Sequence, residues 1–94
     1  MIKSYRDKRT RDFAAGRFIK AFQGIKQQAE KRLEILDAAE TIRDLAVLPS
    51  NRLEKLGRER TGQFSIRINA QYRICFEWAN DENDPVNVEI TDYH

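Results

Sequence analysis

The stretch QFSIRIN, residues 63–69, decides the fold, because Phe64, Ile66 and Ile68 alternate along it with Ser65, Arg67 and Asn69. A period of two is the pattern of a strand that buries one face. After a turn at residues 69–71 the pattern returns in YRICFEW (72–78), with Tyr72, Ile74, Phe76 and Trp78 inward and Arg73, Cys75 and Glu77 outward. Beyond the acidic turn NDENDP (80–85), VNVEITDY (86–93) turns Val86, Val88 and Ile90 inward and Asn87, Glu89, Thr91 and Tyr93 outward. The short links between the three segments predict an antiparallel meander.

Upstream the period changes. From about Lys26 to Leu48, Ala29, Leu33, Leu36, Ala39, Ile42 and Leu45 recur at steps of three or four, which predicts one long helix with a single apolar stripe. Pro49 sets its end, since proline cannot extend a helix and disfavours helical geometry in the residue before it. A shorter helix is expected from about Asp7 to Gly16, with the glycine as its stop, followed by a helical turn or packed loop in RFIKAFQGI (17–25). IKSY (2–5) is β-prone and reads as a first strand, and SNRLEKLGRERTG (50–62) reads as a polar, basic connector pinned by Leu53 and Leu56.

The order β, α, α, β, β, β predicts an α+β fold: a small twisted, mainly antiparallel sheet with two helices on one face. With 94 residues, 40% of them hydrophobic, residues 1–94 are expected to form one domain with one core. No run approaches the roughly 20 apolar residues of a membrane span, and MIKSYRDKRTRDF carries charges where a signal peptide would be apolar. The expected compartment is the cytoplasm, with no membrane partner. One cysteine, Cys75, and one histidine, His94, build neither a disulfide framework nor a protein-only zinc site, so no metal and no cofactor are expected.

The net charge of +2 is unevenly spread: residues 1–60 hold 15 Lys and Arg against 9 acids, and residues 61–94 hold 2 against 6. A basic half suits a polyanion such as nucleic acid, although solubility alone also accounts for an excess of this size. By strand parity Arg67, Arg73 and Tyr93 share the polar face of the sheet, and Asp92 and His94 follow at the strand's end. Two adjacent arginines repel unless something neutralises them. One candidate is a phosphate held in the planar guanidinium fork; the other is pairing with Glu77 or Glu89 across the strands.

RNA brings its own nucleophile, the ribose 2′-hydroxyl. Cutting it needs a base, cations for the developing charge and an acid for the departing oxygen. Arg67 and Arg73 suit the second task. His94, which titrates near neutrality, suits proton transfer, with Asp92 to orient it and Tyr93 to stack or donate a proton. Arg52, Lys55, Arg58 and Arg60 of the connector suit a rim that holds RNA, though Glu54 and Glu59 interleave with them as they would in a solvated loop. The plain alternatives are a frayed terminal histidine and a Tyr93 that covers the sheet edge. Cys75 reads as a passive small side chain.

R-x-GQFSIRIN, Q-x-RICF and the terminal DYH, together with IKSY and NRLEKL after Pro49, are similar to the HigB toxins, the plasmid-maintenance killer branch of the RelE-like group. The resemblance spans nearly the whole chain. It implies a RelE-like fold and a ribosome-dependent, metal-independent mRNA endonuclease, restrained by a HigA-type helix-turn-helix antitoxin through which alone DNA would be contacted. It maps the family's C-terminal acid, tyrosine and histidine onto Asp92, Tyr93 and His94, its sheet arginine onto Arg73, and a further strand position onto Arg67. Some relatives carry a histidine where this chain has Glu54 and a lysine where it has Gly57. Either Glu54 takes over as proton acceptor or the toxin is a mild one. A different class of function, a non-catalytic module that binds nucleic acid or protein through the same basic face, fits the same residues, as does a co-regulator that acts only through its partner.

Overall fold

The computed structural model describes residues 1–78 and 84–92. Four strands, β1 (Glu54–Lys55), β2 (Gln63–Arg67), β3 (Tyr72–Glu77) and β4 (Val86–Asp92), form one antiparallel sheet in the order of the sequence. The predicted meander is therefore present as β2, β3 and β4. Its register places Ile66 opposite Ile74 and Ile74 opposite Ile90, an aliphatic row across three strands, with Phe64 opposite Phe76 one step along. The β2–β3 hairpin closes on Asn69, whose side-chain oxygen accepts the backbone N–H groups of Gln71 at 2.8 Å and Tyr72 at 2.7 Å. Asparagine suits a tip of this kind because its amide imitates a backbone turn.

Helices cover the aliphatic face. α1 (Lys8–Ala14) ends at Gly16, whose φ of 92° is open to glycine at little cost. A 3-10 turn at Lys20–Ile25 leads into α2 (Lys26–Ala38). Ala29, Leu33 and Leu36 bury the predicted stripe of α2 against the sheet, in one cluster with Phe13, Phe22, Ile74, Phe76 and Val88. Phe22 meets Phe13 edge to face at 5.5 Å and Tyr72 at 6.5 Å, which ties the turn to both α1 and β3. Thr10, fully buried on α1, accepts the backbone N–H of Ile90 at 3.0 Å and docks the helix on β4.

The structure corrects three expectations. The helix expected to run from Lys26 to Leu48 is two helices: Ala39 is extended (φ −68°, ψ 137°) and α3 spans Ile42–Ala46. The break is set by a capping box, in which Thr41 Oγ1 accepts the N–H of Asp44 at 3.2 Å and Asp44 Oδ2 accepts that of Thr41 at 3.1 Å. The same carboxylate accepts the N–H of Glu40 at 2.9 Å, and these backbone donors hold Asp44 below the usual carboxylate range.

IKSY does not form a full strand. It runs parallel to β4 with one bridge, Tyr5 to Val88, held by bonds from Lys3 N–H to the Pro85 carbonyl (3.0 Å) and Arg6 N–H to the Val88 carbonyl (2.9 Å). Asp7, extended at φ −132° and ψ 159°, then turns the chain into α1 without a side-chain cap bond. The connector is also more ordered than a loop, because its Glu54–Lys55 pair is the sheet's edge strand, registered on Ser65 and Phe64. Leu56 is buried and its N–H donates to the Gln63 carbonyl at 2.8 Å, which fixes the connector as expected. No described helix is long and apolar enough to cross a membrane.

Candidate functional site

The second face of the sheet was expected to lie open to water, yet Gln63, Ser65, Arg73 and Cys75 are all buried there. Two cross-strand rows define it. Glu54, Ser65, Cys75 and Glu89 stand opposite one another from β1 to β4, and Arg67, Arg73 and Thr91 form the next row.

Arg73 is the centre of this face and only 8% exposed. Its Nε donates to Ser65 Oγ at 2.7 Å, and its Nη2 donates to the Arg52 carbonyl at 2.6 Å and more weakly to the Ser65 carbonyl at 3.4 Å. A buried guanidinium needs such acceptors, because a donor left without one costs its full desolvation. Arg52 supplies its carbonyl from a left-handed backbone, φ 44° and ψ 53°, which only a few per cent of non-glycine residues adopt. Nη1 stands 3.8 Å from Oε1 of Glu54, whose side chain is 54% exposed. Glu54 and Arg73 are thus brought together, a carboxylate and a cation side by side.

Arg67 is paired with Arg73 in register, yet the two guanidinium groups part. Arg67 Nε donates to the Asn69 carbonyl at the hairpin tip, at 3.1 Å, while Arg73 lies back over Ser65. The alternative in which these two arginines pair with Glu77 and Glu89 is not what forms. Arg60 Nη1 reaches Glu89 Oε1 at 2.9 Å and Gln63 Oε1 at 3.1 Å, and Arg6 bridges Glu77 at 3.1 Å and Glu89 at 3.8 Å. Arg60, expected at an RNA-holding rim, is therefore neutralised by Glu89. Arg52, Lys55 and Arg58 remain exposed around β1, with Arg58 also left-handed at φ 54°.

Asp92 registers on Tyr72, whose ring packs on the helix side, so strand alternation sets it on the opposite parity from Arg73 and Thr91. It is exposed and accepts Gln71 Nε2 at 3.0 Å. The structure does not bring Asp92 onto the arginine face. Tyr93 and His94 lie outside the described residues. Cys75 is fully buried, and burial is the main cause that pushes its thiol up, which suits the passive role expected of it. Sequence reasoning missed Ser65, Arg6 and the Arg52 carbonyl. The alternation placed Ser65 on this face, but nothing in the sequence announced the partners of the other two.

A four-stranded meander with helices on one face and an arginine held at the centre of the other defines a small α+β fold. The chain superposes over its full length on the toxin-antitoxin complex YoeB-YefM from Staphylococcus aureus, with TM-score 0.60, 21% identity and 98% of that chain covered. It matches a YoeB/ParE toxin from Agrobacterium tumefaciens with TM-score 0.60 and 14% identity, over 99% of this chain and 98% of that one. At these identities the likeness concerns the fold.

The family follows from sequence. Residues 3–94 match the family of RelE-like toxins of type II toxin-antitoxin systems, HigB, and the chain belongs to it. It is 48% identical over 50 residues to Toxin HigB-1 of Vibrio cholerae serotype O1, a match that covers 53% of each chain. An uncharacterised protein of Haemophilus influenzae is 33% identical over 64 residues, 68% of this chain and 63% of that one. The matched span is thus between about half and two thirds of these relatives' length.

Proposed function

We propose that this toxin is an endoribonuclease that cuts messenger RNA on the ribosome, in the cytoplasm, and is held inactive by a HigA-type helix-turn-helix antitoxin. The observation that carries this reading is the pair of Arg73 Nη1 and Glu54 Oε1, 3.8 Å apart, where buried Arg73 meets the exposed Glu54 of the edge strand. Cleavage starts when a base takes the proton of a ribose 2′-hydroxyl. The oxygen attacks the adjacent phosphorus, the P–O5′ bond breaks, and an acid protonates the departing 5′-oxygen, leaving a 2′,3′-cyclic phosphate and a 5′-hydroxyl end. Arg73 stabilises the charge that builds on the phosphoryl oxygens, as donors fixed in advance do best where water is excluded. Glu54 is the proton acceptor, in the place of the histidine found in other members. His94 and Tyr93, which follow Asp92 in sequence, serve as acid and stacking groups.

Arg67 adds a second cation once phosphate draws it from Asn69. Arg52, Lys55 and Arg58 hold the RNA backbone, joined by Arg60 where Glu89 releases it. The ribosome supplies what a site this sparse lacks, namely a substrate held in one orientation.

The rival reading is a binding module without chemistry, and one observation favours it: Arg73 spends Nε and Nη2 on internal acceptors, as a purely structural arginine would. Inducible expression with mapping of messenger 5′ ends separates the two. Arg73→Ala is expected to abolish new ends, a loss of about 10²–10³-fold, while antitoxin binding persists. A wild type that yields no new ends leaves only the module.

A further inference from the structure

We propose that Ser65 is a positioning residue of the cleavage site, acting through Arg73; this rests on the reading of Arg73 as the cation at the scissile phosphate. A guanidinium offers phosphate more than one edge of paired N–H groups, so its rotation decides which edge a substrate meets. Arg73 has a like charge, Arg67, as its partner in register. Repulsion between neighbours of this kind ordinarily drives both side chains outward into water. Instead Arg73 folds back along the sheet over position 65, two residues along β2 from its register partner, and is buried there.

Serine at 65 makes this possible in two ways. It is small enough to leave room for the guanidinium between β1 and β3, and its Oγ accepts Nε at 2.7 Å while its own carbonyl lies 3.4 Å from Nη2. The Arg52 carbonyl takes Nη2 at 2.6 Å and completes the capture of that edge. With the Nε and Nη2 side engaged, Nη1 is the nitrogen turned toward Glu54, at 3.8 Å. Ser65 thereby fixes the rotation that sets the cation against the acceptor. Glu54, Ser65 and Cys75 lie in one cross-strand row, so the acceptor and the residue that aims the cation are placed by the same register.

Alanine at 65 removes the acceptor of Nε and keeps the charge. Messenger is still bound, but the guanidinium no longer holds one rotation, and an error of about 1 Å in placement costs on the order of 10²-fold in rate. On ribosomes programmed with a defined messenger, Ser65→Ala is expected to lower kcat about 10- to 100-fold with KM within about twofold of wild type. In NMR spectra of the arginine side chains, the Arg73 Nε–H should exchange slowly in wild type and lose that protection in the variant.

A folded S65A protein with wild-type kcat overturns the proposal, as does one in which KM alone rises. A wild type that cleaves no messenger overturns the nuclease reading beneath it, which is a different result. Should the variant fail to fold, the wild-type spectrum decides: an Arg73 Nε–H that exchanges as fast as that of exposed Arg58 overturns the proposal, and a protected one supports it.

Discussion

Glu89 holds two arginines from distant parts of the chain, Arg60 at 2.9 Å and Arg6 at 3.8 Å, with its own side chain only 18% exposed. The acidic excess of the C-terminal third is thus spent partly on the basic excess of the rest. Part of the positive charge that the sequence offers to RNA is already neutralised within the fold.

Glu89→Gln should release it. Arg60 then loses the carboxylate at 2.9 Å while Arg6 keeps Glu77, and a short single-stranded RNA should bind several-fold more tightly at low salt, with a log–log salt slope steeper by about 1. Fluorescence anisotropy over a salt series measures both quantities. An unchanged slope would mean that Arg60 does not reach the RNA backbone.

The capping box gives a pH dependence with a definite sign. Backbone donors from Glu40 and Thr41 hold the Asp44 carboxyl low in the folded chain. Its contribution is therefore fully present above the unfolded carboxylate range, near about 4, and is lost as pH falls through the lower folded value. Asp44→Asn should melt below wild type at neutral pH, and the gap should close as the pH is taken down into the acid range. A gap that stays constant with pH would assign the loss to geometry rather than to charge.

Thr10→Val tests the docking of α1. The change preserves shape and removes the acceptor of the Ile90 N–H, leaving a buried donor unsatisfied at a cost of about 1–3 kcal/mol. Urea unfolding gives the energy, and hydrogen exchange should report a faster amide at Ile90.

Arg52 is left-handed at φ 44°, where a Cβ is strained. Glycine there should exceed alanine in stability by about 0.5–1 kcal/mol, because both lack the cation and only the glycine accepts that backbone freely. Thermal unfolding of the two variants side by side decides it. Equal midpoints would mean that the turn relaxes to another conformation.

Much of the fold was legible because periodicity reports burial. Phe64, Ile66, Ile74 and Ile90 were assigned correctly, as were α1 and the turn after it. The same signal concealed the break in the long helix: Leu36, Ala39 and Leu45 are all buried whether or not the backbone between them is helical. Thr41 and Asp44, spaced as a capping box, were the readable clue. β1 has two residues, too few for any period to register.

The site was less legible than the fold. Strand parity placed Arg67 and Arg73 on one face, and similarity to a family singled out Glu54, which the structure sets beside Arg73. The groups that hold Arg73 and Glu77 come from far along the chain. Arg6 reaches Glu77 from 71 residues away and Arg52 reaches Arg73 from 21, and no local pattern carries such information.

The bridge between Tyr5 and Val88 has a consequence for how the molecule comes into being. Synthesis runs from the N-terminal side, so the segments of β1, β2 and β3 are made before that of β4. Residues 3–6 and α1 must wait for a neighbour that follows them at a separation of 80 residues, as from Thr10 to Ile90. Closing so wide a loop is entropically the costliest step of assembly and is naturally the last. Until β4 is seated, the arginine face therefore lacks its wall on that side, and the toxin's site is complete only with the last pairing of the fold.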